Sequence, residues 1–169
     1  SAGPKIFSVS GDVERPGVYE LPLGIRIAEL LEHVGGTGAK GVQVGGASGH
    51  MIPSHAFDRR ICFEDVATGG SVMVFGPHRD MLRVAHNFLD FFVDESCGQC
   101  TPCRLGCTKL LEGVELLQQG KCEVKYLEEL CSLSLTMQLA SKCGLGQSAP
   151  NAFLSIVEHY RDELLGRQA

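Results

Sequence analysis

Three cysteines fall within seven residues, Cys97, Cys100 and Cys103, in the run Glu95-Ser96-Cys97-Gly98-Gln99-Cys100-Thr101-Pro102-Cys103-Arg104. A C-x2-C-x2-C segment can wrap three corners of an iron–sulfur cube, and such a cluster needs four thiolates in all. Structural zinc usually draws its ligands in separated pairs around one small tetrahedral ion. The spacing therefore favours a [4Fe–4S] cluster and leaves a structural zinc site of four cysteines, in a non-redox interaction module, as the alternative. Gly98 and Pro102 mark a tight loop rather than a packed core segment, which argues against three unliganded buried cysteines.

The local sequence suits an anionic guest. Thr101 is a good N-cap and Pro102 suits the first helical position, so Cys103 is expected in the first turn of a helix. The free amides and positive dipole end of a helix N-terminus favour negative charge. Arg104 reads either as charge compensation beside the cluster or as an ordinary surface arginine.

Two cysteines compete to be the fourth ligand. Cys107 completes C-x2-C-x2-C-x3-C, a ferredoxin-like run, but no proline follows it and no second run accompanies it. It also aligns with Leu110, Leu111 and Val114 at helical spacing, which makes it a core residue of its helix. Cys143, in Lys142-Cys143-Gly144-Leu145-Gly146, sits in a glycine-flanked loop where backbone amides can approach a cluster sulfur, and it is preferred. Cys62, Cys122 and Cys131 read as small buried hydrophobes or bystander thiols. The six histidines show no H-x-x-H or HExxH spacing and read as structural or surface residues.

Eight cysteines in 169 residues could also mean a disulfide framework. That needs an oxidising compartment and usually a short, loop-rich scaffold. Here the cysteines cluster in helical surroundings, which fits metal binding in a reducing cytoplasm. A net charge of −5 provides no basic footprint for nucleic acid. No apolar run approaches the roughly 18 residues of a membrane span, and the first residues carry no apolar stretch of a secretory signal.

The elements that must position these residues come in two parts. Lys5 to Val9 and Gly17 to Leu21 read as a hairpin around the turn chemistry of Gly11 to Pro16. A helix follows, with Ile27, Leu30, Leu31 and Val34 on one face and Gly35-Gly36 ending it. Val42 to Gly46 and Ser71 to Phe75 read as further strands. Hairpin, crossing helix and more strands is a β-grasp order. Beyond Gly76-Pro77 four apolar stripes follow at helical spacing: Met81, Val84, Ala85, Phe88 and Phe92; Leu110, Leu111, Val114 and Leu117; Val124, Leu127, Cys131 and Leu135; Phe153, Ile156, Val157, Tyr160 and Leu164. The expected fold is α+β: a β-grasp domain over 1–77 and a four-helix bundle carrying the cluster over 78–169.

The cysteine run, with Cys143 about forty residues on, resembles the iron–sulfur region of the NADH-binding flavoprotein subunit of respiratory complex I. The diaphorase subunit of NAD-reducing hydrogenases and the β-subunit of NAD-dependent formate dehydrogenases share the module. Ser10-Gly11-Asp12-Val13 and Arg15-Pro16-Gly17-Val18-Tyr19-Glu20 resemble the β-grasp domain that precedes the cluster in those subunits. The resemblance implies that Cys97, Cys100, Cys103 and Cys143 hold a [4Fe–4S] cluster. It also implies that electrons enter singly from FMN in an upstream FMN- and NADH-binding domain, and leave to an iron–sulfur cluster of a partner subunit. The family's glycine-rich phosphate-binding stretch has no counterpart here, so hydride chemistry falls to no residue of this chain. Cys107 lies outside the shared motif.

Overall fold

A computed structural model describes residues 2–166, which divide into two compact units between Arg79 and Asp80. The first holds a five-stranded mixed sheet and the second is helical, an α+β organisation.

In the first unit β1 (Pro4–Gly11) pairs antiparallel with β2 (Gly17–Pro22) and parallel with β5 (Ser71–Phe75). β3 (Gly41–Val44) lies antiparallel between β5 and β4 (His50–Pro53), so the order is β2-β1-β5-β3-β4. Alternation decides which side chains go in: Phe7 and Val9 of β1 and Val72 and Val74 of β5 are buried, while Ile6 points outward. Helix α1 (Ile27–Val34) covers that inner face with Ile27, Leu30, Leu31 and Val34, the four residues its periodicity singles out. Gly35 closes the helix in the left-handed conformation, at φ 68°. Two details depart from the sequence reading. The strand expected over Val42 to Gly46 ends at Val44 and gives way to a 3-10 turn over Gly46–Ser48. The edge strand β4 has only four residues and ends in Pro53, too short to show an alternation of its own.

The second unit contains α2 (Met81–Glu95), α3 (Thr101–Gln118), α4 (Val124–Ala140), the short α5 (Gly144–Ser148) and α6 (Asn151–Leu165). Asp80 caps α2, its carboxylate accepting from the Leu82 and Arg83 amides at 3.0 and 3.4 Å. α2 packs on α3 and α6, α3 packs on α4, and α5 lies against both α3 and α4. The third apolar stripe is displaced from its expected residues. α4 buries Leu127, Leu130, Ser134 and Met137, while Val124 and Leu135 are exposed and Cys131 is half-buried. Ser134 conceals the true face in the sequence, because its hydroxyl satisfies itself on the Leu130 carbonyl at 2.9 Å and so tolerates burial. α6 is not uniform either: Tyr160 has φ −125° and ψ 22°, a kink within its stripe. Among the described residues no helix is long and apolar enough to cross a membrane.

Candidate iron–sulfur centre

The site begins where α2 stops. Ser96 leaves the helix in an extended conformation, and Gly98 turns the chain with φ 75°, a region that favours glycine. Two contacts fix this turn. The Gly98 amide donates to Ser96 Oγ at 3.3 Å, and the Arg104 guanidinium donates to the Gly98 carbonyl. Arg104, exposed, is thus a clip across the cysteine loop.

α3 starts one residue earlier than Thr101 would dictate as a cap: Cys100 is the N-cap, in extended conformation, with Pro102 in the first turn. The Cys100 side chain makes no capping hydrogen bond, so the proline and the backbone conformation start this helix. The backbone amides of Lys142 and Cys103 beside the Cys100 sulfur hold its thiol below the usual range. Cys97 is exposed, Cys100 half-buried, and Cys103 only 5% exposed. Ser96 Oγ lies 3.3 Å from Cys103 Sγ, in hydrogen-bond contact.

The segment carrying Cys143 closes onto this turn from the far end of α4. Lys142 supplies one of the amides on Cys100, so Cys143 follows directly on a residue that touches the first cysteine group. Gly146 packs on Cys103, and a Cβ there would sit 2.8 Å from Cys103 Cβ and 2.6 Å from Ser141 Oγ. Only a glycine lets the backbone approach this closely. Cys143 itself is exposed, in extended conformation as the N-cap of α5. The glycine-flanked loop read from the sequence is therefore partly this short helix.

Cys107 lies one turn further into α3 and is fully buried. Burial, reinforced by the neighbouring Cys103, pushes its thiol up to about 12. That environment favours the protonated form, whereas a ligand must be a thiolate. Of the remaining cysteines, Cys62 and Cys122 are buried and Cys131 is half-buried; burial raises the thiols of Cys122 and Cys131. No disulfide joins any of the eight.

Cys97, Cys100, Cys103 and Cys143 are the kind of donor that a thiolate-ligated cluster takes, four sulfurs for four irons. Among the described residues no three His, Cys, Asp or Glu side chains converge where one metal ion would sit. A cube makes no such demand, because each thiolate takes a different iron at a different corner. The buried Ser141 Oγ has no hydrogen-bond partner among the described residues, and it stands beside Cys103 and Gly146. A buried hydroxyl ordinarily has a partner, and a sulfur of a bound cluster would supply one.

Both parts of the chain resemble known proteins. Residues 83–167 match the family described as the NADH-ubiquinone oxidoreductase-F iron–sulfur binding region, and residues 6–54 match the SLBB domain. The alpha subunit of the NAD-reducing hydrogenase HoxS of Cupriavidus necator is 36% identical over 161 residues, 95% of this chain and 27% of its own length. The NADP-reducing hydrogenase subunit HndC of Solidesulfovibrio fructosivorans is 36% identical over 96% of this chain and 36% of its own length. An NADH-quinone oxidoreductase subunit of Mycobacterium bovis is 34% identical over 98% of this chain and 39% of its own length. The chain thus spans well under half of the relatives it matches. A crystal structure of an NAD+-reducing [NiFe]-hydrogenase in the H2-reduced state superposes with a TM-score of 0.93 at 38% identity, covering 99% of this chain and 30% of that one.

Proposed function

The chain belongs to the NADH-ubiquinone oxidoreductase-F iron–sulfur binding region family, and we propose that Cys97, Cys100, Cys103 and Cys143 hold a [4Fe–4S] cluster that relays single electrons within an NADH-linked oxidoreductase. In this reading the donor is FMN in an upstream domain that also takes NADH, and the acceptor is an iron–sulfur cluster of a partner subunit in a larger redox complex. The relatives are themselves subunits of hydrogenases and of a quinone oxidoreductase, which supports such a setting. A reducing cytoplasm is the compartment that suits eight cysteines without a disulfide.

The observation that carries the proposal is the closure of the 141–146 segment on the 97–103 turn through the Lys142 amide and Gly146. A bound cluster supplies reversible one-electron storage. The chain's own residues do the rest. The Lys142 and Cys103 amides lower the Cys100 thiol, Arg104 holds the loop, and the bundle limits water around Cys103. We read 78–169 as a four-helix bundle with α5 as an insert before its last helix. We read 1–77 as a β-grasp domain, which the SLBB match and α1 on one face of the mixed sheet support.

Anaerobic reconstitution with iron and sulfide, with iron and zinc quantified and EPR recorded after dithionite reduction, tests the proposal. About four irons per chain and a reduced-cluster signal are expected. Cys143→Ala abolishes that loading and Cys107→Ala leaves it intact. One zinc and no signal, or the reverse behaviour of the two variants, would sink the ligand assignment.

A further inference from the structure

Cys103 differs from the other three proposed ligands in having a hydroxyl against its sulfur. Ser96 Oγ is 3.3 Å from Cys103 Sγ, and the same oxygen accepts the Gly98 amide at 3.3 Å. Either of the two atoms could donate if Cys103 were a thiol. As an iron ligand its sulfur carries no proton, so the hydroxyl must be the donor. The Gly98 N–H occupies a lone pair on Oγ and leaves the hydroxyl proton to point at the sulfur. Gly98 is itself held by its left-handed φ and by Arg104 on its carbonyl. The serine rotor is therefore set by three successive contacts. Cys103 is 5% exposed, so little water competes for the bond.

We propose that Ser96 is a positioning residue that tunes the cluster: its hydroxyl donates to Cys103 Sγ and raises the reduction potential. The inference rests on Cys103 being a ligand, as proposed above. Reduction adds one electron and one negative charge to the cluster, partly delocalised onto the ligand sulfurs. A fixed donor on one of those sulfurs stabilises the reduced form more than the oxidised one. The serine proton stays on oxygen throughout, and in the test a mediated electrochemical cell supplies the electron.

The test compares the full chain with its Ser96→Thr and Ser96→Val variants, two β-branched side chains of nearly equal size that differ in the hydroxyl. The extended backbone at Ser96, φ −67° and ψ 123°, accepts both. All are reconstituted anaerobically, their irons counted, and their potentials titrated. Ser96→Val should keep four irons and shift the oxidised-to-reduced equilibrium about tenfold toward the oxidised form, about 59 mV more negative for one electron. Ser96→Thr should stay at the wild-type value. The Fe–Sγ stretch in resonance Raman should rise in Ser96→Val alone. Equal potentials in the two variants overturn the proposal, as does loss of iron from either, which would make Ser96 part of site assembly. Failure of the wild-type chain to take up iron is a separate result that removes the ligand reading itself.

Discussion

Cys100 and Cys107 lie on the same stretch of chain, and their thiols are shifted in opposite directions. Two amides favour the Cys100 thiolate, and burial beside Cys103 disfavours that of Cys107. In the iron-free chain at neutral pH, iodoacetamide should label Cys100 well ahead of Cys107, and peptide mass spectrometry across pH 7 to 9 should find Cys107 labelled last. Comparable rates would refute this account of the two environments. The lowered Cys100 thiol also eases metal loading, since protons compete less for that sulfur. Much of the residue-scale picture was legible in the sequence. The C-x2-C-x2-C spacing stands out by itself, and the helical register of Cys107 with Leu110 and Val114 marks it as core. Other parts were not legible. Gly146 reads as loop filler until Cys103 is seen against it. The hold of Arg104 on Gly98 depends on a turn whose shape no spacing encodes. The cap fell on Cys100 rather than Thr101, with no side-chain cap bond to announce it in the sequence.

At the scale of elements, α3 and α4 meet along a seam of two glycines. Gly106 faces Met137 and Gly113 faces Leu130, each pair offset by seven residues from the other. A Cβ on Gly113 would fall 2.3 Å from Leu130 Cδ1, and Leu130 is 2% exposed, with no solvent to swing into. Gly113→Ala should therefore destabilise the chain by about 1 kcal/mol net, overpacking of about 1–3 kcal/mol offset by about 1 kcal/mol of helix propensity. In a double-mutant cycle with Leu130→Ala, urea unfolding followed by circular dichroism should show the two changes to be non-additive by about 1 kcal/mol or more. Additive effects would mean the helices do not meet at this pair. The sequence discloses the helices but hides this seam, since apolar periodicity scores a glycine as nothing. The same blindness to buried small and polar residues displaced the α4 stripe, where Ser134 takes an inward position and Leu135 an outward one. β4 and α5 escaped for a different reason, being too short for any period to repeat.

On the scale of the whole molecule, the change from glycine- and β-branched-rich sequence to helical stripes announces two parts. The division falls at Arg79 and Asp80, beyond the glycine–proline signal at Gly76-Pro77. Within the first unit, Asp12 ties the end of β1 to the chain after β5, accepting from Arg79 at 2.6 and 2.7 Å and from the Gly76 amide at 2.8 Å. These bonds, that to Arg79 foremost, hold its carboxyl at about 2, below its ordinary 3.8. Because the folded value is depressed, the contribution is complete above about pH 4 and disappears as pH falls toward 2. Hydrogen exchange read by NMR should show Gly76 amide protection falling across that window, and Asp12→Asn should flatten the change. A pH-independent Gly76 amide in the wild type would refute the tie. The return of the chain to Cys100 after α4 has a further consequence, one of connectivity. If iron joins Cys103 to Cys143 as proposed, the chain between them, 143 − 103 = 40 positions with all of α4 inside, becomes a closed ring. Closing a ring of that size removes disorder from the unfolded chain worth roughly 4 kcal/mol, a large share of the roughly 5–15 kcal/mol that holds an ordinary domain folded. Oxygen damage that strips the iron would then do more than interrupt conduction: it would cut the cross-link and leave the helices standing on their packing alone.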